Sequence, residues 1–71
     1  MSLIQVKAIE GVYDEQQKRE IISKLTDALV EIGGEHLRSV VVVTFEEVES
    51  GSWGIAGTPV TKEDVQKMSG G

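Results

Sequence analysis

Four consecutive valines, Val40 to Val43, open the stretch SVVVVTFEEVESGSWGIAG between Ser39 and Gly57, and no other feature restricts the chain as much. β-Branched side chains lose rotamer freedom in a helix and pack well on a pleated surface, so the run predicts a strand. An apolar run without alternation is the pattern of a strand buried on both faces, which occurs mainly in parallel sheets. Past Thr44-Phe45 the chain takes an acidic step through Glu46, Glu47 and Glu49, turns over Ser50-Gly51 and reaches Trp53, its one tryptophan. Gly51, Gly54 and Gly57 fall close together, which predicts a tight hairpin folded against a neighbour. Thr58-Pro59 predicts a break. Thr61, with Asp64 three residues on, predicts a short capped helical turn through Gln66, and residues 68–71 read as a frayed tail.

A parallel strand needs a partner and a crossover. Leu3 to Ile9 supplies the partner: Leu3, Gln5, Lys7 and Ile9 fall on one face, Ile4, Val6 and Ala8 on the other. Glu10-Gly11 ends it with a turn. Asp14 reads as a helix N-cap, and Gln17 three residues later completes a capping box. Ile21, Ile22, Leu25, Ala28, Leu29 and Ile32 then recur at helical spacing as one apolar stripe, and Gly33-Gly34 stops the helix. About five turns of helix between two strands predict a right-handed β-α-β unit.

Seventy-one residues form one small domain, residues 1–71, which cannot bury a comfortable core alone. With no cysteine and one histidine, His36, neither disulfides nor a metal site can staple it. One helix covers one face of a two-stranded sheet and leaves the other apolar and wet, so the chain is expected to be an obligate oligomer. The formal charge is −5 and the seven basic residues are scattered, which excludes a nucleic-acid surface. The valine run is far too short to span a membrane and no signal peptide precedes it, so a soluble cytoplasmic protein is expected. The glycine-rich segment lacks the Gly-Lys-Ser/Thr of a phosphate loop. The acidic step, with no second ligand cluster, reads as a solvated strand end or a subunit salt bridge.

Taken together, the short first strand, Glu10-Gly11, Asp14-Glu15-Gln16 opening a helix, the valine strand and Trp53-Gly54-Ile55-Ala56-Gly57 resemble the 4-oxalocrotonate tautomerases from about Leu3 to Gly57. The resemblance implies an α+β fold: a β-α-β unit with a parallel strand pair and a C-terminal hairpin, assembled as a homohexamer, a trimer of dimers. It implies an isomerase that uses no cofactor and moves a proton within a small enol, dienol or 2-oxo acid. The base in such enzymes is the amine of an N-terminal proline. An α-amino group has a pKa near 8 (about 7.7–8.0), which desolvation lowers further, so it can act as a base at neutral pH.

Carried over residue by residue, the catalytic position is Ser2, the aromatic wall is Trp53, and Ile9 and Ser39 line the pocket. Val12 and Val41 stand where the family has arginines for substrate carboxylates, and Arg38 is the nearest arginine able to supply such a charge. The start Met1-Ser2-Leu3 reads either as an added leader on a native Met-Pro-Leu or as a natural serine. A serine hydroxyl without a histidine or lysine partner is not an activated nucleophile, so the serine form is expected to be weak or inactive. Two rival readings share the scaffold: a hydratase or dehalogenase acting on unsaturated acids, and a non-catalytic oligomer binding a small ligand at Trp53.

Overall fold

A computed structural model describes residues 1–68 of the chain. Strand β1 runs Ser2–Ile9, helix α1 Glu15–Gly33, a 3-10 helical turn Glu35–Val40, strand β2 Val41–Val48, strands β3 Trp53–Ile55 and β4 Thr58–Val60, and helix α2 Lys62–Met68. β1 and β2 are parallel, in a register that runs from Ser2 opposite Val41 to Ile9 opposite Val48. β3 and β4 form a separate antiparallel hairpin. The β-α-β unit and the hairpin are therefore as the residue pattern and the resemblance imply.

The crossover helix begins where its capping chemistry dictates. Asp14 Oδ1 accepts from the Gln17 amide at 2.8 Å, and Gln17 Oε1 accepts from the Asp14 amide at 2.9 Å. Two otherwise orphaned donors of the first turn are thus satisfied reciprocally. The helix ends at Gly34, whose backbone (φ 106, ψ 154) lies in a region open only to glycine, and whose amide still reaches the Val30 carbonyl at 2.7 Å. The box at Thr61 forms as well: Thr61 Oγ1 accepts from the Asp64 amide at 3.2 Å, and Asp64 Oδ2 accepts from the Thr61 amide at 3.0 Å. α2 runs one turn's remainder beyond Gln66, through Met68. The rest of the predicted tail lies outside the described residues.

Three expectations are corrected. The helix is rotated relative to the predicted stripe. It packs chiefly over β2, and Val30, absent from that stripe, is its buried residue, whereas Ala28 is exposed and Ile32 is 87% exposed. Ile21, Ile22, Leu25 and Leu29 of that stripe are half-buried, whereas Ala28 and Ile32 lie outside the cover that a two-stranded sheet provides. The valine run is not buried on both faces: Val40 ends the 3-10 turn, Val41 and Val43 are half-buried, and Val42 on the opposite face is exposed. Finally, Thr58-Pro59 does not break the chain. It opens β4, with Pro59 opposite Gly54. A two-stranded hairpin is all edge, so the missing proline N–H costs it no ladder bond in a central strand.

Among the described residues the buried apolar side chains are Ile9, Val30 and Val60, and none is fully enclosed. Leu3 (59% exposed) and Val42 lie in register on the sheet face away from α1. The expected uncovered face is apolar at this end, whereas Gln5, Thr44, Lys7 and Glu46 make its middle polar.

Candidate functional site

The residues predicted to form the site separate into two groups at opposite ends of the parallel pair. At one end stands Ser2, exposed at the first position of β1 and opposite Val41. Ser39 and Arg38 belong to the 3-10 turn just before Val41, both exposed. At the other end, seven residues along β1 and so roughly 23 Å away at ~3.3 Å per residue, Ile9 is buried beside Trp53. Within one chain, Ser2 does not meet Trp53.

Ile9 and Trp53 line one cleft, of about 230 Å³, together with Lys7, Ala8, Val12, Tyr13 and Val65. The local chemistry explains why these meet. β1 places Lys7 and Ile9 on one face by its two-residue period. The turn after it, with Gly11 at φ 79, brings Val12 and Tyr13 back across the strand end. That turn is tied on both sides: the Gly11 amide donates to Glu47 Oε2 at 3.2 Å, and its carbonyl accepts from Gln66 Nε2 at 3.3 Å. Tyr13 then packs edge-on against Phe45, with ring centroids 5.9 Å apart at 84°. The hairpin delivers Trp53, and α2 closes the cleft with Val65. α2 is in turn anchored by the Lys62 amide, which donates to Ser50 Oγ at 3.0 Å.

Electrostatics at the two ends differ. Arg38 is engaged by carboxylates of its own chain: Nε and Nη2 donate to Glu35 at 2.6 and 3.3 Å, and Nη1 donates to Asp27 Oδ1 at 2.8 Å. Glu35, then Asp27, hold the guanidinium well above its ordinary value, and Arg38 in return lowers the Glu35 carboxyl. The charge expected to receive a substrate carboxylate is thus already paired with two anions. Near the cleft, Glu47 binds the Lys18 ammonium as well as the Gly11 amide, and both hold its carboxyl below the usual value, Lys18 more strongly. The acidic step therefore serves in part as an intrachain tie. Among the described residues no group of three or more His, Cys, Asp or Glu is placed to hold a metal, and no helix is long and apolar enough to cross a membrane.

Sequence reasoning missed Lys7, Ala8, Tyr13 and Val65 as lining residues. Lys7 carried a readable signal, because it shares the strand face of Ile9. Val65 carried none, since only the path of the hairpin and α2 brings it over. A larger cleft, about 390 Å³, runs along the open flank of α1 between Tyr13, Ile21 and Leu25, and contains none of the predicted residues.

A parallel β-α-β unit with an appended hairpin, an aromatic cleft at one strand end and the N-terminus at the other defines a small domain of the tautomerase fold. The chain belongs to the tautomerase family: a match to the family described as "Tautomerase enzyme" spans residues 3–63. A probable tautomerase of Staphylococcus aureus is 38% identical over 64 residues, covering 90% of this chain and 98% of its own. A probable tautomerase of Dickeya dadantii is 30% identical over 66 residues, covering 93% and 97%. Among solved structures, one of the 4-oxalocrotonate tautomerase isozymes from Methylibium petroleiphilum superposes with a TM-score of 0.70 at 34% identity, over 89% of this chain and 95% of that one. A 4-oxalocrotonate tautomerase homologue gives 0.73 at 29% identity, over 83% and 90%.

Proposed function

We propose that this chain is the scaffold of a cytoplasmic, cofactor-independent isomerase that transfers a proton within a small enol, dienol or 2-oxo acid. Position 2 is the place of the base and the Ile9–Trp53 cleft is the substrate's apolar wall. The observation that carries this reading is the separation of Ser2 from Trp53 along β1. A cleft holding the substrate at one strand end and a base at the other are joined when the N-terminus of a second copy meets the cleft of the first. The open apolar face at Leu3 and Val42 and the uncovered flank of α1 supply surfaces for such an assembly, for which we propose a homohexamer built as a trimer of dimers. Ser39 lines the completed pocket in this reading, whereas Arg38, with its charge held by Glu35 and Asp27, acts at most as a secondary contact.

With Met1 retained, residue 2 offers an amide N–H and a hydroxyl, and the amine sits one residue early. A Ser2→Pro variant from which Met1 is removed restores a secondary amine at the first position of β1. Its kcat/KM for ketonisation of phenylenolpyruvate or 2-hydroxymuconate is expected to exceed that of the serine form by about 100-fold or more, the usual contribution of a positioned general base. Equal rates in the two forms would sink the assignment of position 2.

A further inference from the structure

The Ile9–Trp53 cleft carries a single formal charge. Lys7 is the only charged residue among those lining it; the others are apolar or aromatic. That charge is not neutralised within the chain. Lys18, Lys24 and Arg38 are held by carboxylates, but Lys7 has no ion pair among the described residues. Glu46 stands opposite it in the strand register yet makes no ion pair with it. Lys7 and Ile9 share one strand face and line the same cleft, Ile9 buried and Lys7 exposed, an arrangement that lets a lysine stem cover apolar surface while its charge stays in water. An apolar cleft with one convergent cation is built for a ligand with an anionic head and an apolar body.

We propose that Lys7 is the carboxylate-binding residue of this cleft, and that the cleft takes small monocarboxylic acids with an apolar or aromatic body in preference to dicarboxylic acids. One ammonium can pair with one carboxylate. A second would be placed against an apolar wall, in a protein of net charge −5 with Glu10, Glu46 and Glu47 at the same strand ends. The inference rests on reading the cleft as the substrate-binding half of the isomerase site, and it narrows the substrate class.

The only tryptophan of the chain is its natural reporter. Trp53 fluorescence is titrated with 3-phenylpropanoate, with its neutral amide and with hexanedioate, in the native chain and in the Lys7→Met and Lys7→Arg variants. Saturable binding of 3-phenylpropanoate is expected, about 10-fold weaker in Lys7→Met and restored to within about 3-fold in Lys7→Arg. The amide should bind the native and Lys7→Met chains equally, and hexanedioate should bind the native chain more weakly than the monoacid. Circular dichroism confirms that each variant folds. Affinity for 3-phenylpropanoate unchanged in Lys7→Met, or no saturable signal in the native chain, overturns the inference. Ketonisation by the Ser2→Pro form, assayed with and without Lys7→Met, keeps the two ideas apart. Turnover with a KM indifferent to Lys7 removes Lys7 and leaves the isomerase, while Lys7-dependent binding without turnover does the reverse.

Discussion

Glu47 shows how much one side chain can hold. Its carboxylate joins β2 to the Gly11 turn and to Lys18 on α1, so the wall of the cleft and the crossover helix depend on the same group. Because folding lowers its pKa, its stabilisation is present above the ordinary glutamate value of 4.5 and lost as pH falls through the lower folded value. Thermal melting of the native chain should therefore decline as pH falls below about 4.5. A Glu47→Gln variant should melt lower at pH 7, with the gap closing by pH 3; a gap of constant size at both values would contradict the tie. Glu35 and Asp64 are lowered too, by Arg38 and by the Thr61 amide respectively, so the variant retains part of the acid dependence. Residue 2 stands at the other extreme, exposed and without a partner that would activate a serine hydroxyl.

At the level of elements, the hairpin is the piece whose turn chemistry is poorest. Ile55 pairs with Thr58, so the connection has two residues, Ala56 and Gly57, and both take positive φ, 52 and 82. Such a turn matches the right-handed twist of the flanking strands, and glycine or asparagine is its ordinary occupant. Alanine there pays a left-handed penalty of about 1 kcal/mol, partly offset by the greater freedom glycine has in the unfolded chain. Ala56→Gly is thus expected to stabilise the protein by about 0.5 kcal/mol, read as a rise in the denaturant midpoint with unchanged slope. A lowered midpoint would show that Ala56 makes a contact beyond its turn. The hairpin matters for the site because it is the only element that carries Trp53 to Ile9.

The whole molecule is more open than a chain of its size ordinarily is when folded alone. A 7.7 kDa chain folded alone should expose about 4,300 Å² and have a radius of gyration near ~11 Å, whereas this one exposes 5141 Å² with a radius of 14.8 Å. The excess, about 800 Å², is what one partner contributes to an ordinary protein interface. Sedimentation should accordingly find a species several times heavier than 7.7 kDa, with a melting temperature that rises with protein concentration. Leu3→Lys and Val42→Lys put an ammonium on the open sheet face and should shift that species toward monomer; a monomer already present in the native chain would remove the basis for a site completed between copies.

Local rules were enough for the capping boxes at Asp14 and Thr61, the glycine stop at Gly34 and the hairpin, because each depends on residues near in sequence; the parallel pairing of β1 and β2 followed from the order strand, helix, strand. The same rules put Ile9 and Trp53 at a common site only through the family's ordered pattern. They could not orient the helix fully: Ala28 and Ile32 have the right period to be core, yet they are exposed while Val30 is buried, because a two-stranded sheet is too narrow to cover the whole stripe. Nor could they reveal that Arg38 is taken by Glu35 and Asp27, that Val65 roofs the cleft, or that Lys7 stands at its rim uncompensated. The pairing of Arg38 follows from the path of the chain from α1 into the 3-10 turn, and the place of Val65 from contacts between segments far apart, where packing of whole elements decides which side chains meet.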